Sequence, residues 1–128
     1  MITKIILVMV GGGLGSLSRY GLTLLAANYI GVSFPWGTLL ANLIGCFLIG
    51  VGFALADINL LSPSGRLFFM TGFLGGLTTF STFALETVTA TRAGIKAIAL
   101  ANFLINNLGG MILVGVGMWL TQFVLKGE

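Results

Sequence analysis

Three stretches of the chain, 20–56, 67–85 and 97–125, contain no charged side chain at all. A helix rises about 1.5 Å per residue, so roughly 20 residues cross the ~30 Å hydrocarbon core of a bilayer. Each stretch is long enough for one crossing, and the first for nearly two. The remaining composition agrees with a lipid solvent: 57% of the 128 residues are hydrophobic and 7% are charged, too little polar surface to clothe a water-soluble globule.

Turn residues divide the stretches into four spans. Lys4 followed by an apolar run has the look of a secretory leader, but no small-residue cleavage site leads into a soluble domain, so a retained first span is expected over 3–29. Asn28, Gly31, Ser33 and Pro35 form the first turn cluster. A second span over 37–56 ends at Asp57, Asn59, Ser62, Pro63, Ser64 and Gly65, a third covers 66–91, and Arg92, Gly94 and Lys96 precede a fourth over 96–125. The expectation is an all-α, multi-pass membrane protein: a single four-helix domain over 1–128 with function inside the bundle.

Several function classes fall away. The net charge is +3, but the six basic residues are scattered, so there is no electrostatic footprint for nucleic acid. Cys46 is alone and histidine is absent, which excludes a Cys/His metal site and leaves no nucleophile–base pair for an enzyme. By the positive-inside rule, one side carries Lys4, Arg66 and Lys126 and the other Arg92 and Lys96. Three against two hardly fixes an orientation, so copies inserted both ways, and hence an antiparallel dimer, are expected.

Small residues recur every fourth position: Gly11 and Gly15, Gly37, Ala41 and Gly45, Cys46 and Gly50, Gly72 and Gly76. Such seams let helix backbones approach closely in a membrane. The Gly11-Gly12-Gly13 cluster lacks the Gly-Lys-Ser/Thr ending of a phosphate-binding loop, and packing accounts for it better.

The most informative segment is Gly72-Phe-Leu-Gly-Gly-Leu-Thr-Thr-Phe-Ser-Thr-Phe83, in the middle of the third span. Gly75 and Gly76 each weaken a helix by roughly 1 kcal/mol relative to alanine, and the hydroxyls of Thr78, Thr79, Ser81 and Thr82 compete for backbone partners. A mid-membrane break is the expectation. Breaks at that depth survive only where protein or a wet cavity surrounds them, and they create ion sites, with half-helix N-termini attracting anions and freed carbonyls attracting cations. Phe80 and Phe83 share a face beside these hydroxyls, and the positive edge of an aromatic ring suits a small dehydrated anion. Thr38 and Asn42 make a polar stripe on the second span, and the amide of Asn42 has two N–H donors. Asn102, Asn106 and Asn107 sit awkwardly in the fourth span. Arg19 is too costly to face lipid inside the first, and Glu86 lies toward the end of the third.

Taken together, the motifs Gly12-Gly-Leu-Gly-Ser-Leu-Ser-Arg19, Pro35-Trp-Gly-Thr-Leu-Leu-Ala-Asn42 and Gly72 to Phe83, with Glu86, make the chain resemble the Fluc (CrcB) family of fluoride channels over essentially its full length. The resemblance implies an antiparallel dual-topology homodimer in the cell inner (cytoplasmic) membrane that exports fluoride passively to relieve its toxicity. It implies a fluoride pathway involving Asn42, Phe80, Phe83 and Arg19; the hydroxyls of Ser81, Thr82 and Thr38 are expected to join it, with Asn107 as the fourth-span candidate. It also implies a structural sodium ion held by the backbone carbonyls of Gly75 and Thr78. Two other readings of the same residues are a proton-coupled exporter of the small multidrug type, with Glu86 as its acid, and a non-transporting assembly subunit.

Overall fold

The computed structural model describes residues 1–127. Among them are four helical spans long and apolar enough to cross a membrane: Ile2–Tyr29, Trp36–Asp57, Pro63–Arg92 and Lys96–Lys126. We call the first two α1 and α2, the two halves of the third α3 (63–77) and α4 (Phe80–Arg92), and the fourth α5. No strand occurs among the described residues.

Local chemistry sets the boundaries. Beyond α1 the chain turns at Gly31 (φ 122°) and beyond α4 at Gly94 (φ 77°), in backbone conformations that a Cβ disfavours. The third span begins at Pro63, three residues before the expected start. Ser62 accounts for this: its hydroxyl accepts the Gly65 N–H at 3.0 Å, and Pro63 fills a first-turn position where a missing N–H costs nothing. Arg66 reaches back from this turn and its Nη2 donates to the Ala56 carbonyl at 2.7 Å, adding a second donor to an oxygen at the end of α2 that already accepts the Asn59 N–H at 3.1 Å. Arg66→Ala is expected to cost about 1 kcal/mol, seen as earlier loss of the monodisperse size-exclusion peak when the detergent-solubilised protein is heated.

The interior is the inverse of a soluble core. Its buried members are mostly small, among them Ala26, Ala41, Ala54 and Ala56, while Ile6, Leu17, Trp119 and Phe123 lie exposed. With lipid as solvent, close packing rather than the hydrophobic effect holds such a bundle together. The glycine seams carry that packing. A Cβ on Gly15 would strike the Phe73 carbonyl, and one on Gly76 the Gly12 carbonyl, so α1 and α3 touch backbone to backbone. In the same way Gly50 meets the Val114 carbonyl and Gly117 the Phe47 carbonyl, which joins α2 to α5.

The third span is broken, at the threonines rather than the glycines. Gly75 is helical (φ −63°, ψ −35°), and Gly76 serves the α1 contact. The chain leaves helical geometry at Thr78 (φ −83°, ψ 154°) and Thr79 (φ −149°, ψ 123°), where β-branched side chains favour extended backbone. Thr79 then caps α4, its hydroxyl accepting the Thr82 N–H at 3.3 Å. The span also changes partner there, α3 packing chiefly on α1 and α4 on α5. Two segments, Arg66–Leu74 in α3 and Ile105–Gly109 in α5, are wound as π-helix, a form often found near functional positions.

Candidate functional site

The break opens onto a groove of about 380 Å³ whose lining draws on α2, α3, α4 and α5. Of the residues singled out from sequence, it brings together Asn42, Gly75, Thr78, Phe80, Phe83 and Asn107.

Asn42 is the centre of its polar chemistry. The Asn42 Oδ1 accepts the Thr79 N–H at 2.8 Å, and its Nδ2 donates to the Thr79 carbonyl at 3.1 Å. One side chain thus pairs both amide groups of an extended residue at mid-span, groups that would cost several kcal/mol if left bare in hydrocarbon. In an unbroken helix the Thr79 N–H would bond to the carbonyl of Gly75. Diverting it to Asn42 leaves that carbonyl without its helical partner, and Gly75 itself is exposed, with open space where a Cβ would stand. Beyond the break, the first N–H groups of α4 begin at Phe80, so oppositely polarised helix ends flank two residues of extended chain.

The aromatic pair has one buried and one exposed member. Phe83 is 5% and Phe80 78% exposed, with their ring centroids 5.6 Å apart in an edge-to-face arrangement. Phe83 also lies 6.4 Å from Phe103.

The other expected residues lie outside the groove lining. Thr38 is buried and donates to Glu86 Oε1 at 2.6 Å, while the buried Glu86 Oε2 has no hydrogen-bond partner among the described residues. Ser81 is exposed, and the Thr82 hydroxyl accepts from Thr79 Oγ1 at 3.1 Å. Arg19 is half-buried on α1. In α5 the inward residue is Asn106, whose Oδ1 accepts from Asn42 Nδ2 at 2.9 Å. Asn107, although on the groove wall, turns its amide to the Phe103 carbonyl of its own helix at 2.7 Å. Asn106 was expected only as a polar residue awkward in lipid, not as part of the site, and the pairing of the Thr79 main chain was not anticipated. The four-residue spacing of Asn102 and Asn106, which places both on one helix face, was the available signal.

No cluster of His, Cys, Asp or Glu able to hold a metal exists among the described residues. The oxygens on offer are carbonyls, the donor type of a hard cation rather than a transition metal. The exposed Gly75 with its released carbonyl fits such an ion, but one chain supplies few of the oxygens it would need.

The chain matches the model of the "CrcB-like protein, Camphor Resistance (CrcB)" family over residues 6–118. It is 45% identical over 124 residues to a Salinibacter ruber protein named fluoride-specific ion channel FluC, covering 97% of this chain and 93% of that one. Proteins of the same name from Legionella pneumophila (strain Lens) and from Leptospira interrogans (strain Fiocruz L1-130) are 43% and 40% identical. The alignments cover 94% and 93% of this chain and 91% and 94% of theirs. On a match that runs from the first span into the last, the chain belongs to the CrcB family.

Proposed function

We infer that the protein is a fluoride channel that works as a pair of oppositely inserted copies in the cytoplasmic membrane and lets fluoride leave the cell down its gradient. The carrying observation is the mid-span break at Thr78 and Thr79, opening a groove where Asn42, Phe80 and Phe83 meet beside two polarised helix ends. The names of its relatives supply the ion.

The face that carries this groove argues for a second copy. It presents the Phe80 ring and the exposed Gly75 together with polar main chain, a combination lipid solvates poorly. The weak charge bias of the loops permits a partner of opposite orientation. In such a pair the Gly75 and Thr78 carbonyls of both chains would hold a sodium ion, whose charge would tie the two breaks together. Fluoride would exchange water for ring edges of Phe80 and Phe83, hydroxyls of Ser81 and Thr82, and amide donors near Asn42, with Thr38, Asn107 and Arg19 toward the ends of the path. Ligand replacement at close quarters is how narrow pores select ions.

The test is efflux from proteoliposomes followed with a fluoride electrode. Fluoride should leave electrogenically without a proton gradient, while chloride stays inside. Phe80→Ile should lower the flux at least about tenfold, corresponding to roughly 1.4 kcal/mol of lost ion stabilisation, with the assembly unchanged on size exclusion. Glu86 Oε2, without a hydrogen-bond partner among the described residues, favours a proton-coupled exporter. Flux that stops when the proton gradient is collapsed would establish that mechanism instead.

A further inference from the structure

From Asn42 and Asn106 on the groove wall inward, side chains of α2, α5 and α4 form one unbroken run of hydrogen bonds. Asn42 Nδ2 donates to Asn106 Oδ1 at 2.9 Å, Asn106 Nδ2 to Asn102 Oδ1 at 2.8 Å, Asn102 Nδ2 to Thr87 Oγ1 at 3.0 Å, and Thr87 Oγ1 to the Phe83 carbonyl at 2.9 Å. Every donor points the same way along the run, the arrangement in which successive hydrogen bonds strengthen one another.

Each link fixes the rotation of the one before it. The terminal torsion of an asparagine is broad and roughly two-fold, so nothing in Asn42 itself dictates that its carbonyl should face the Thr79 N–H. The Thr79 N–H and carbonyl favour that orientation and Asn106 locks it: its Oδ1 takes the second Asn42 amide hydrogen, leaving the first for the Thr79 carbonyl and Oδ1 for the Thr79 N–H. Asn106 is set in turn by Asn102, which receives its amide on both the side-chain and main-chain oxygens at 2.8 and 2.9 Å. Thr87 spends its proton on Phe83 and so can only accept from Asn102. Asn102 is 1% exposed and, like Thr87, lies outside the groove lining. Neither meets an ion in that groove directly.

We propose that Asn106, Asn102 and Thr87 are positioning residues that hold the Asn42 amide on the Thr79 main chain and so keep the third span open at its break. The flux readout of this assignment rests on the channel reading above; its geometric content does not.

The experiment uses the full chain with Asn102→Leu, Asn106→Leu, both together, Thr87→Val and Thr87→Ser. Two readings are taken: fluoride efflux from liposomes, and hydrogen exchange of the Thr79 amide by NMR in lipid nanodiscs. Asn102→Leu, Asn106→Leu and Thr87→Val should each speed Thr79 exchange and lower flux about tenfold or more, by local opening of the break. Thr87→Ser keeps the hydroxyl and should retain both wild-type values. Because the links act in series, the double variant should be no worse than Asn106→Leu alone. Unchanged Thr79 exchange in Asn102→Leu or Thr87→Val would overturn the assignment, as would losses that multiply in the double variant, which would make Asn102 an independent contact. Should the leucine variants fail to fold, Thr87→Val against Thr87→Ser decides by the same readings. A wild-type protein that passes no fluoride sinks the channel reading, and Thr79 exchange then still judges the relay.

Discussion

Asn42→Ala is expected to reduce fluoride efflux at least about a hundredfold, an effect worth roughly 2.7 kcal/mol, in a protein that still elutes as the wild-type assembly. The substitution removes three hydrogen bonds at once: two to the Thr79 main chain and one to Asn106. Thr79 is then left with a bare N–H and a bare carbonyl at mid-span, at a cost of about 1–3 kcal/mol for each buried group. The nearest remedy is for the Thr79 N–H to return to the Gly75 carbonyl and restore the helix. That remedy closes the groove and withdraws the carbonyl offered to a cation. Efflux within twofold of wild type would show that the break holds without Asn42, and would remove this residue from the mechanism.

Gly15→Val should do its damage to assembly rather than to conduction. A Cβ at this position runs into the Phe73 carbonyl and comes within 2.8 Å of the Leu77 nitrogen. Both are backbone atoms that no rotamer change can move, so α1 and α3 must separate along their whole contact. Overpacking of this kind costs about 1–3 kcal/mol or more, and in lipid there is no hydrophobic gain from the extra methyl groups to offset it. The variant should yield little monodisperse protein and lose it at a markedly lower temperature. Gly13→Ala is the matched control. It lies on the same helix, a Cβ there meets nothing within 4 Å, and it should match or exceed wild type, since alanine favours a helix by about 1 kcal/mol over glycine. Equal behaviour of the two variants would rule out the α1–α3 seam as a structural determinant.

What could be read from the sequence, and what could not, divides along physical lines. Solvent and span number were written in the uncharged stretches, because hydrocarbon imposes a length and forbids charge. The break was legible as a region, from glycines and hydroxyls crowded where a helix should be regular, but not to the residue. Glycine lowers helix propensity everywhere, whereas here Gly76 is recruited for a close helix contact, and the extended residues are the threonines whose side chains can bond and cap. The groove residues Asn42, Phe80 and Phe83 were accessible through motif. Asn106 was not separated from Asn107, since neighbouring residues point about 100° apart on a helix and the π-wound Ile105–Gly109 segment shifts the register. The Thr38–Glu86 bond joins positions 48 residues apart, a distance over which no linear pattern speaks.

The change of partner at the break has a bearing on biogenesis. The α1–α3 seam joins segments made early in the chain and can form as soon as the first half of the third span leaves the ribosome. The second half has its main support in α5, which is synthesised last, and two of the three residues that steady Asn42, namely Asn106 and Asn102, arrive with it. Until then α4 leans chiefly on α2, through the Thr38–Glu86 bond, and Asn42 meets Thr79 without its relay. Completion of the fold therefore falls on its final segment: a nascent chain halted before Lys96 would hold a seated front half and a loosely held rear half.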